Sequence, residues 1–412
     1  MPRSRRPDHA GDEPVTALAA DADPSGSKAA PSPSDLASIA ATVGEGVARP
    51  AAASVDRDAR FPSEAFDALR REHLLSVLVP RNLGGAGASI IEAAAAVEAL
   101  GHHCASTSMI YAMHQIQVHC LVRHGATPAL ETFLRELAEK ELLLASATTE
   151  IGIGGDIRSS SCAVEQQDGR FHLEKQAPVI SYGAHADGIL ATARASADSV
   201  ASDQVLVLCR KENTSLTELS GWDTLGFRGT CSLGFGLAAD GPSDEVLGQP
   251  FADIATRTML PTSHIVWGSV WLGIATEAVS IARGFIRNEA RKSPGRAPTA
   301  ATRLAELVAT LQEFRSLVHG AARRYAEIGD DDLELTSLGF AIDMNGLKLS
   351  SSAFVVDIVT RAMSVVGISA YREDSQYSMS RLLRDAHGAP LMVNNDRIAG
   401  HNAQMLLVHK GK

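Results

Sequence analysis

Thr148-Thr149-Glu150 is followed at once by Gly152, Gly154, Gly155 and Asp156. A glycine-rich loop leaving a strand can bring backbone N–H groups close to the edge of a planar ring or to a pyrophosphate. Taken alone, an ordinary β-turn is the favoured reading, because glycine triplets of this kind are common. His102, His103, His114, His119 and His124 crowd one stretch of chain. His114 and His119 stand five apart, not the four of a helical metal pair, so packing and capping are expected of them. Cys104, Cys120, Cys162, Cys209 and Cys231 lie far apart with no CxxC pair, which predicts reduced, buried thiols and neither a disulfide frame nor a zinc site. No GxSxG elbow signals a serine hydrolase.

These residues sit in a chain of 412, with 45% hydrophobic and 21% charged types, the balance of an ordinary globular protein. The length predicts two to three packed units. A charge sum of −10 without long like-charge runs leaves no nucleic-acid footprint, and 5% aromatics argue against a stacking platform for single strands. No run reaches the ~20 uninterrupted apolar residues that a membrane helix needs. MPRSRRPDHAGDEP has no apolar core behind its basic residues, so it is not a secretory signal, and a cytoplasmic location is expected.

The elements that must position the chemistry fall into an ordered series. Residues 1–34 form a proline-rich leader expected to be disordered. Residues 35–143 carry a helical period, in SDLASIAATVGEGVA, in the run after Phe61-Pro62-Ser63, in IIEAAAAVEALGHH and in STSMIYAMHQIQVHCLVRHG. Residues 144–250 read as an antiparallel β unit, a small barrel or sandwich, with Asp168-Gly169 as a two-residue hairpin turn. Residues 251–412 return to the helical period as an up-down bundle of four long helices. In the first of these, Leu272, Ala275, Val279, Ala282 and Ile286 form one buried stripe. The fold class is α+β.

This order, with its local strings, resembles the acyl-CoA dehydrogenase superfamily of flavoproteins from about Asp35 to Lys410. LVPRNLGGAGAS looks like the family's glycine turn, ATTEIGIGGDIRSS like the strand and loop over the flavin, and VISYGAHAD like the strand that passes the isoalloxazine. GFRGTCS resembles a downstream β string, and EARK the arginine string ending the first bundle helix. NGLKLSSSAFVVDIVTRAMSVVG with RLLRDA is close to the last two helices.

The resemblance implies FAD, with Thr148, Thr149, Gly154, Gly155, Ile180, Ser181, Arg291, Gly367 and Asn395 at the cofactor. Ser181 stands where a hydroxyl lies near flavin N5. Arg291 matches the arginine that reaches the pyrophosphate in a neighbouring subunit. Val179 replaces a tryptophan common in the family and opens room beside the ring. Gly155 takes the place of a substrate-binding serine, and with Asn394 is expected at the substrate. The base is the largest departure. One family position, seven residues beyond Arg384-Asp385-Ala386, is Val393, and the alternative position falls near Ser263. Asp396 and His264 are the candidate substitutes. Glu277 lies about four helical turns beyond Ser263.

The leading expectation is an FAD-dependent oxidoreductase that oxidises an acyl thioester, on CoA or on an acyl-carrier protein, in specialised biosynthesis. A flavin monooxygenase using reduced flavin and O2 is the alternative, since it does not need the Cα base. A non-catalytic flavin- or ligand-binding member is the lesser one. The expected partners are an electron-acceptor flavoprotein or O2, and further copies of the chain in a homodimer or homotetramer.

Overall fold

The computed structural model describes residues 30–152, 157–292 and 298–410. The expected leader falls almost wholly outside these residues, as do Gly154 and Gly155.

Six helices come first, namely α1 (Leu36–Val43), α2 (Arg49–Arg57), α3 (Ser63–Arg71), α4 (Ile90–Gly101), α5 (Ala105–His124) and α6 (Pro128–Lys140). Local chemistry sets their starts. The Ser89 N–H donates to the Glu92 carboxylate at 2.7 Å to open α4. Thr127 Oγ1 accepts from Leu130 N ahead of Pro128 to open α6. α5 is buried nearly all round, and its Ser108, Tyr111, His114 and Gln115 side chains bond backbone carbonyls.

The middle region forms two sheets. One joins β1 (Leu144–Ala147), β4 (Gly188–Arg194) and β5 (Gln204–Arg210), and the other runs in the order β2 (Val164–Gln167), β3 (Arg170–Ala177), β7 (Gly234–Pro242), β6 (Thr214–Ser220). The second sheet is antiparallel throughout, as expected for the region, whereas β1 pairs parallel to β4 with Leu144 opposite Gly188. The Asp168-Gly169 turn carries φ values of 50° and 74°, the two left-handed residues of a tight hairpin.

The last region holds α7 (Phe251–Ile254), α8 (Leu260–Lys292), α9 (Ala301–Ile328), α10 (Asp332–Leu335), α11 (Leu338–Val366), α12 (Ile368–Tyr371), α13 (Ser380–Ala386) and α14 (Asn395–Val408). The stripe from Leu272 to Ile286 is buried. The run Phe251–Lys292 and α11 are long and apolar enough to cross a membrane by length and composition alone, but 78% of the first one's apolar window is buried inside the protein. α4 crosses α8 at Gly101 and Gly273, where a Cβ on Gly273 would stand 2.6 Å from the Glu98 carbonyl. One continuous apolar core links all three regions.

Between α7 and α8 the helix widens into a π-helical turn, Ala255–Met259. His124 pins it, its ring bonded to Thr258 Oγ1 and to Gln249 Oε1, each at 2.7 Å. His119 bonds Thr262 Oγ1 at 2.8 Å. The histidine-rich stretch therefore packs α5 against the start of α8. Four cysteines are buried and Cys162 is half-buried, all five as free thiols.

Candidate active site

α5, the end of β1, the turn after β3, the start of α8 and the turn before α14 converge on a cavity of about 200 Å³. Its walls include Thr148, Thr149, Val179, Ser181, Ser263, His264 and Val393, together with Gln117, Trp267, Met259, Leu260 and Met392. Segments more than two hundred residues apart in sequence thus bring seven of the residues named at the expected site together. Among the described residues that line it there is no aspartate or glutamate.

The polar groups are held individually. Thr149 Oγ1 donates to Val179 O at 3.2 Å. Ser263 Oγ turns back to Met259 O in its own helix at 2.5 Å. His264 Nδ1 lies 3.0 Å from Met344 O, and because a carbonyl only accepts, that nitrogen carries the hydrogen and Nε2 the lone pair. Burial, with the Lys348 charge adding to it, pushes the His264 ring down to about 4, so it is neutral at pH 7. Ser181 Oγ accepts from Ser232 Oγ at 2.8 Å.

Next to Thr149, Glu150 anchors the loop from inside. Burial opposes its charge, but the hydroxyls of Ser161 and Ser160 and the Lys175 ammonium at 3.2 Å outweigh that and hold the carboxyl at about 2. Behind Val393, the fully buried Lys348 donates to Val393 O at 3.0 Å and to Asn395 Oδ1 at 2.6 Å. Burial pushes this ammonium down to about 8.

Other expected site residues lie elsewhere. Asp396 is exposed in the first turn of α14, where its N–H donates to the Asn394 cap at 2.8 Å. Asn395 turns inward to Lys348 and Ser352, away from the cavity. Ile180 is fully buried with its N–H bonded to Leu233 O at 2.8 Å. Glu277 is held by Arg49 at 2.6 Å and His102 at 2.8 Å, between α2, α4 and α8. Arg291 is exposed in the last turn of α8, roughly 40 Å along the helix from Ser263. Gly367 caps α11 with φ 76°, next to an exposed Ile368.

Sequence reasoning missed Gln117, Trp267, Lys348, Thr230 and Ser232. Gln117 Oε1 and Trp267 Nε1 line the cavity, buried and without a hydrogen-bond partner. An orphan acceptor and an orphan donor at one cavity point to a ligand that supplies their partners. In the sequence no motif sets Gln117 or Trp267 apart from the other residues of α5 and α8.

A helical first region, a two-sheet middle and a long-helix bundle closing on one hydroxyl-lined cavity define the class of fold shared by acyl-CoA dehydrogenases and related flavin enzymes. Residues 35–166 match the family described as acyl-CoA dehydrogenase, N-terminal domain, and residues 253–392 that described as acyl-CoA dehydrogenase, C-terminal domain. The chain belongs to the acyl-CoA dehydrogenase family.

Similar proteins include the amino sugar nitrososynthase DnmZ of Streptomyces peucetius, 26% identical over 355 residues, covering 82% of this chain and 84% of that one. Cyclohex-1-ene-1-carbonyl-CoA dehydrogenase of Geobacter metallireducens is 25% identical over 355 residues, covering 85% and 90%. The FMN-bound TdsC structure from Paenibacillus sp. A11-2 has a TM-score of 0.79 at 20% identity and covers 92% of this chain and 98% of that one.

Family membership bears out the expected flavin cofactor, FAD, and places the chain among oxidoreductases. The residues present fit a flavin ring. Ser181, Thr148 and Thr149 would face it, and Val179 leaves its flank open.

Proposed function

We propose that this chain is an FAD-dependent monooxygenase on the acyl-CoA dehydrogenase fold, using O2 to oxidise a small polar substrate. One observation carries the reading. No carboxylate among the described residues lines the cavity, and valine and serine occupy the two positions where the family resemblance puts a base. His264 would be a weak proton acceptor there, since its ring is held near a pKa of about 4. Asp396 is exposed at the start of α14, outside the cavity lining, and Glu277 is paired with Arg49.

Bound FAD would supply the oxidation–reduction chemistry. Within the chain, Ser181 presents a hydroxyl to the ring, and Thr148 and Thr149 border it. Gln117 and Trp267 take up a polar group of the substrate, while Met259, Leu260 and Met392 exclude water. The resemblance to an amino sugar nitrososynthase supports a polar, sugar-like substrate.

The second reading is oxidation of an acyl thioester, on CoA or on a carrier protein, with electrons passing to an acceptor flavoprotein. It is favoured by the relative named as a CoA-ester dehydrogenase and by His264, whose Nε2 lone pair remains available at the cavity.

We also propose a homo-oligomer. Arg291, Gly367 and the exposed Ile368 and Tyr371 share one end of the bundle, which Asn288 ties together through a 2.5 Å bond to Tyr377 OH. That end would complete the flavin site of another copy.

The test mixes FAD-loaded protein anaerobically with a panel of acyl-CoA and acyl-carrier thioesters and follows the visible flavin band. No bleaching is expected, with oxygen-dependent product appearing once an external reductase supplies electrons. Stoichiometric bleaching by a thioester would replace this reading with the dehydrogenase one.

A further inference from the structure

Three hydroxyls run in a line from the cavity wall into the protein. Ser181 Oγ lies 2.8 Å from Ser232 Oγ, which lies 2.8 Å from Thr230 Oγ1, which lies 2.8 Å from Phe227 O. Thr230 and Ser232 are buried, and the line is fixed by backbone. Tyr182 N donates to Thr230 O and Ile180 N to Leu233 O, both at 2.8 Å. The far end is anchored in turn, because Phe227 N donates to the buried Asp385 carboxylate at 2.6 Å.

Counting hydrogens along this line leaves two arrangements. Phe227 O accepts from Thr230 Oγ1 and, at 3.1 Å, from Trp222 Nε1, and both arrangements keep the Thr230 bond. In the first arrangement, the one the present geometry shows, Ser232 donates to Ser181, and the Ser181 hydrogen is free to point into the cavity. In the second Ser232 donates to Thr230, Ser181 donates to Ser232, and Ser181 offers a lone pair to the cavity. Rotation of two hydroxyls interconverts them, with no proton leaving its own oxygen.

We propose that Thr230 and Ser232 are positioning residues that let Ser181 act as donor or acceptor toward the same ligand atom. The inference rests on the flavin reading above, because a flavin ring nitrogen that accepts a hydrogen bond when oxidised becomes an N–H donor on reduction. The relay satisfies both states without leaving a buried hydroxyl hydrogen unmatched. Removing Ser232 strands the Ser181 hydrogen in the second arrangement alone, so the reduced state loses more.

The test measures FAD affinity and the two-electron midpoint potential of the flavin-loaded protein by dye equilibration. Ser232→Ala and Thr230→Val are each expected to weaken binding of reduced relative to oxidised flavin by about three- to tenfold, the worth of one neutral hydrogen bond. Tenfold corresponds to a potential lower by about 30 mV for a two-electron couple. The double variant should match the single ones, Ser232→Thr should retain the wild-type potential, and neither change should matter in a Ser181→Ala background. Normal FAD binding with unchanged potentials in both single variants, or additive shifts in the double variant, overturns the relay alone. A wild-type chain that takes up no flavin overturns the flavin reading and the relay with it.

Discussion

His264→Asn tests whether the ring at the cavity wall is held neutral by burial. The asparagine amide keeps an N–H donor for Met344 O but removes the titrating group. In the folded protein the imidazole sits at about 4 against an ordinary 6.5. Its folded value is the lower one, so as pH falls the unfolded chain takes up the proton first. The stability linked to this group is therefore fully present above about pH 6.5 and is lost as pH falls through the window down to about 4. At pH 5 those two values give a loss of about 2 kcal/mol, against almost nothing at pH 7.5. His114 and His119 are pushed down by burial as well, and buried Glu141 and Asp385 are pushed up, but all four remain in the variant and cancel in the comparison. The assay is urea unfolding of both proteins at pH 7.5 and pH 5.0. The drop in unfolding free energy between the two should be smaller in the variant by about 2 kcal/mol. An equal drop in both proteins would refute a neutral, buried His264.

Gln117→Leu removes an amide whose oxygen is buried without a partner, so the flavin-free protein should gain about 1 kcal/mol in chemical denaturation while binding substrate more weakly. Glu150→Gln leaves the wholly buried Lys175 without its counter-charge and should cost about 3–5 kcal/mol, read as a large fall in melting temperature. An unchanged melting point would mean that the pair does not anchor the loop. Val393→Glu puts a carboxylate on the cavity wall. If the missing base is what blocks thioester oxidation, anaerobic flavin bleaching by an acyl thioester should rise by about 10²–10⁴-fold, and no gain would show that other wall residues also exclude that chemistry.

Elements with a strong period were legible. The α8 stripe and the Asp168-Gly169 hairpin needed only spacing and turn chemistry. α6 was overlooked although Thr127-Pro128 marks its start and Leu130, Phe133, Leu134 and Leu137 give it a buried face. β6 offers little to read because it is a mostly exposed edge strand with few apolar positions. The parallel β1–β4 pairing needs contacts across some forty residues that no local pattern encodes. At the site, the hydroxyl and base positions were found through motif strings, whereas Gln117, Trp267 and Ser232 gain meaning only from what three-dimensional packing leaves unpaired or places within 2.8 Å.

Val393 and Lys348 separate the frame of the site from its chemistry. Val393 has φ 46°, a left-handed conformation that costs a β-branched residue about 1–3 kcal/mol and persists only where its surroundings over-determine it. Here Lys348, without a carboxylate partner among the described residues, holds the Val393 carbonyl and Asn395, and Asn395 is shared with Ser352. The turn is therefore imposed from α11 whatever residue stands at its apex. A carboxylate at that apex would face the cavity in the place where the family resemblance expects the base, and valine instead closes the wall with apolar surface. The same lysine charge adds to the burial that keeps His264 neutral, so the frame that could present a base also suppresses the nearest alternative. Among its described residues the cavity has no carboxylate at either position where the family resemblance expects a base, which is the physical argument for the proposed oxygen chemistry over thioester dehydrogenation.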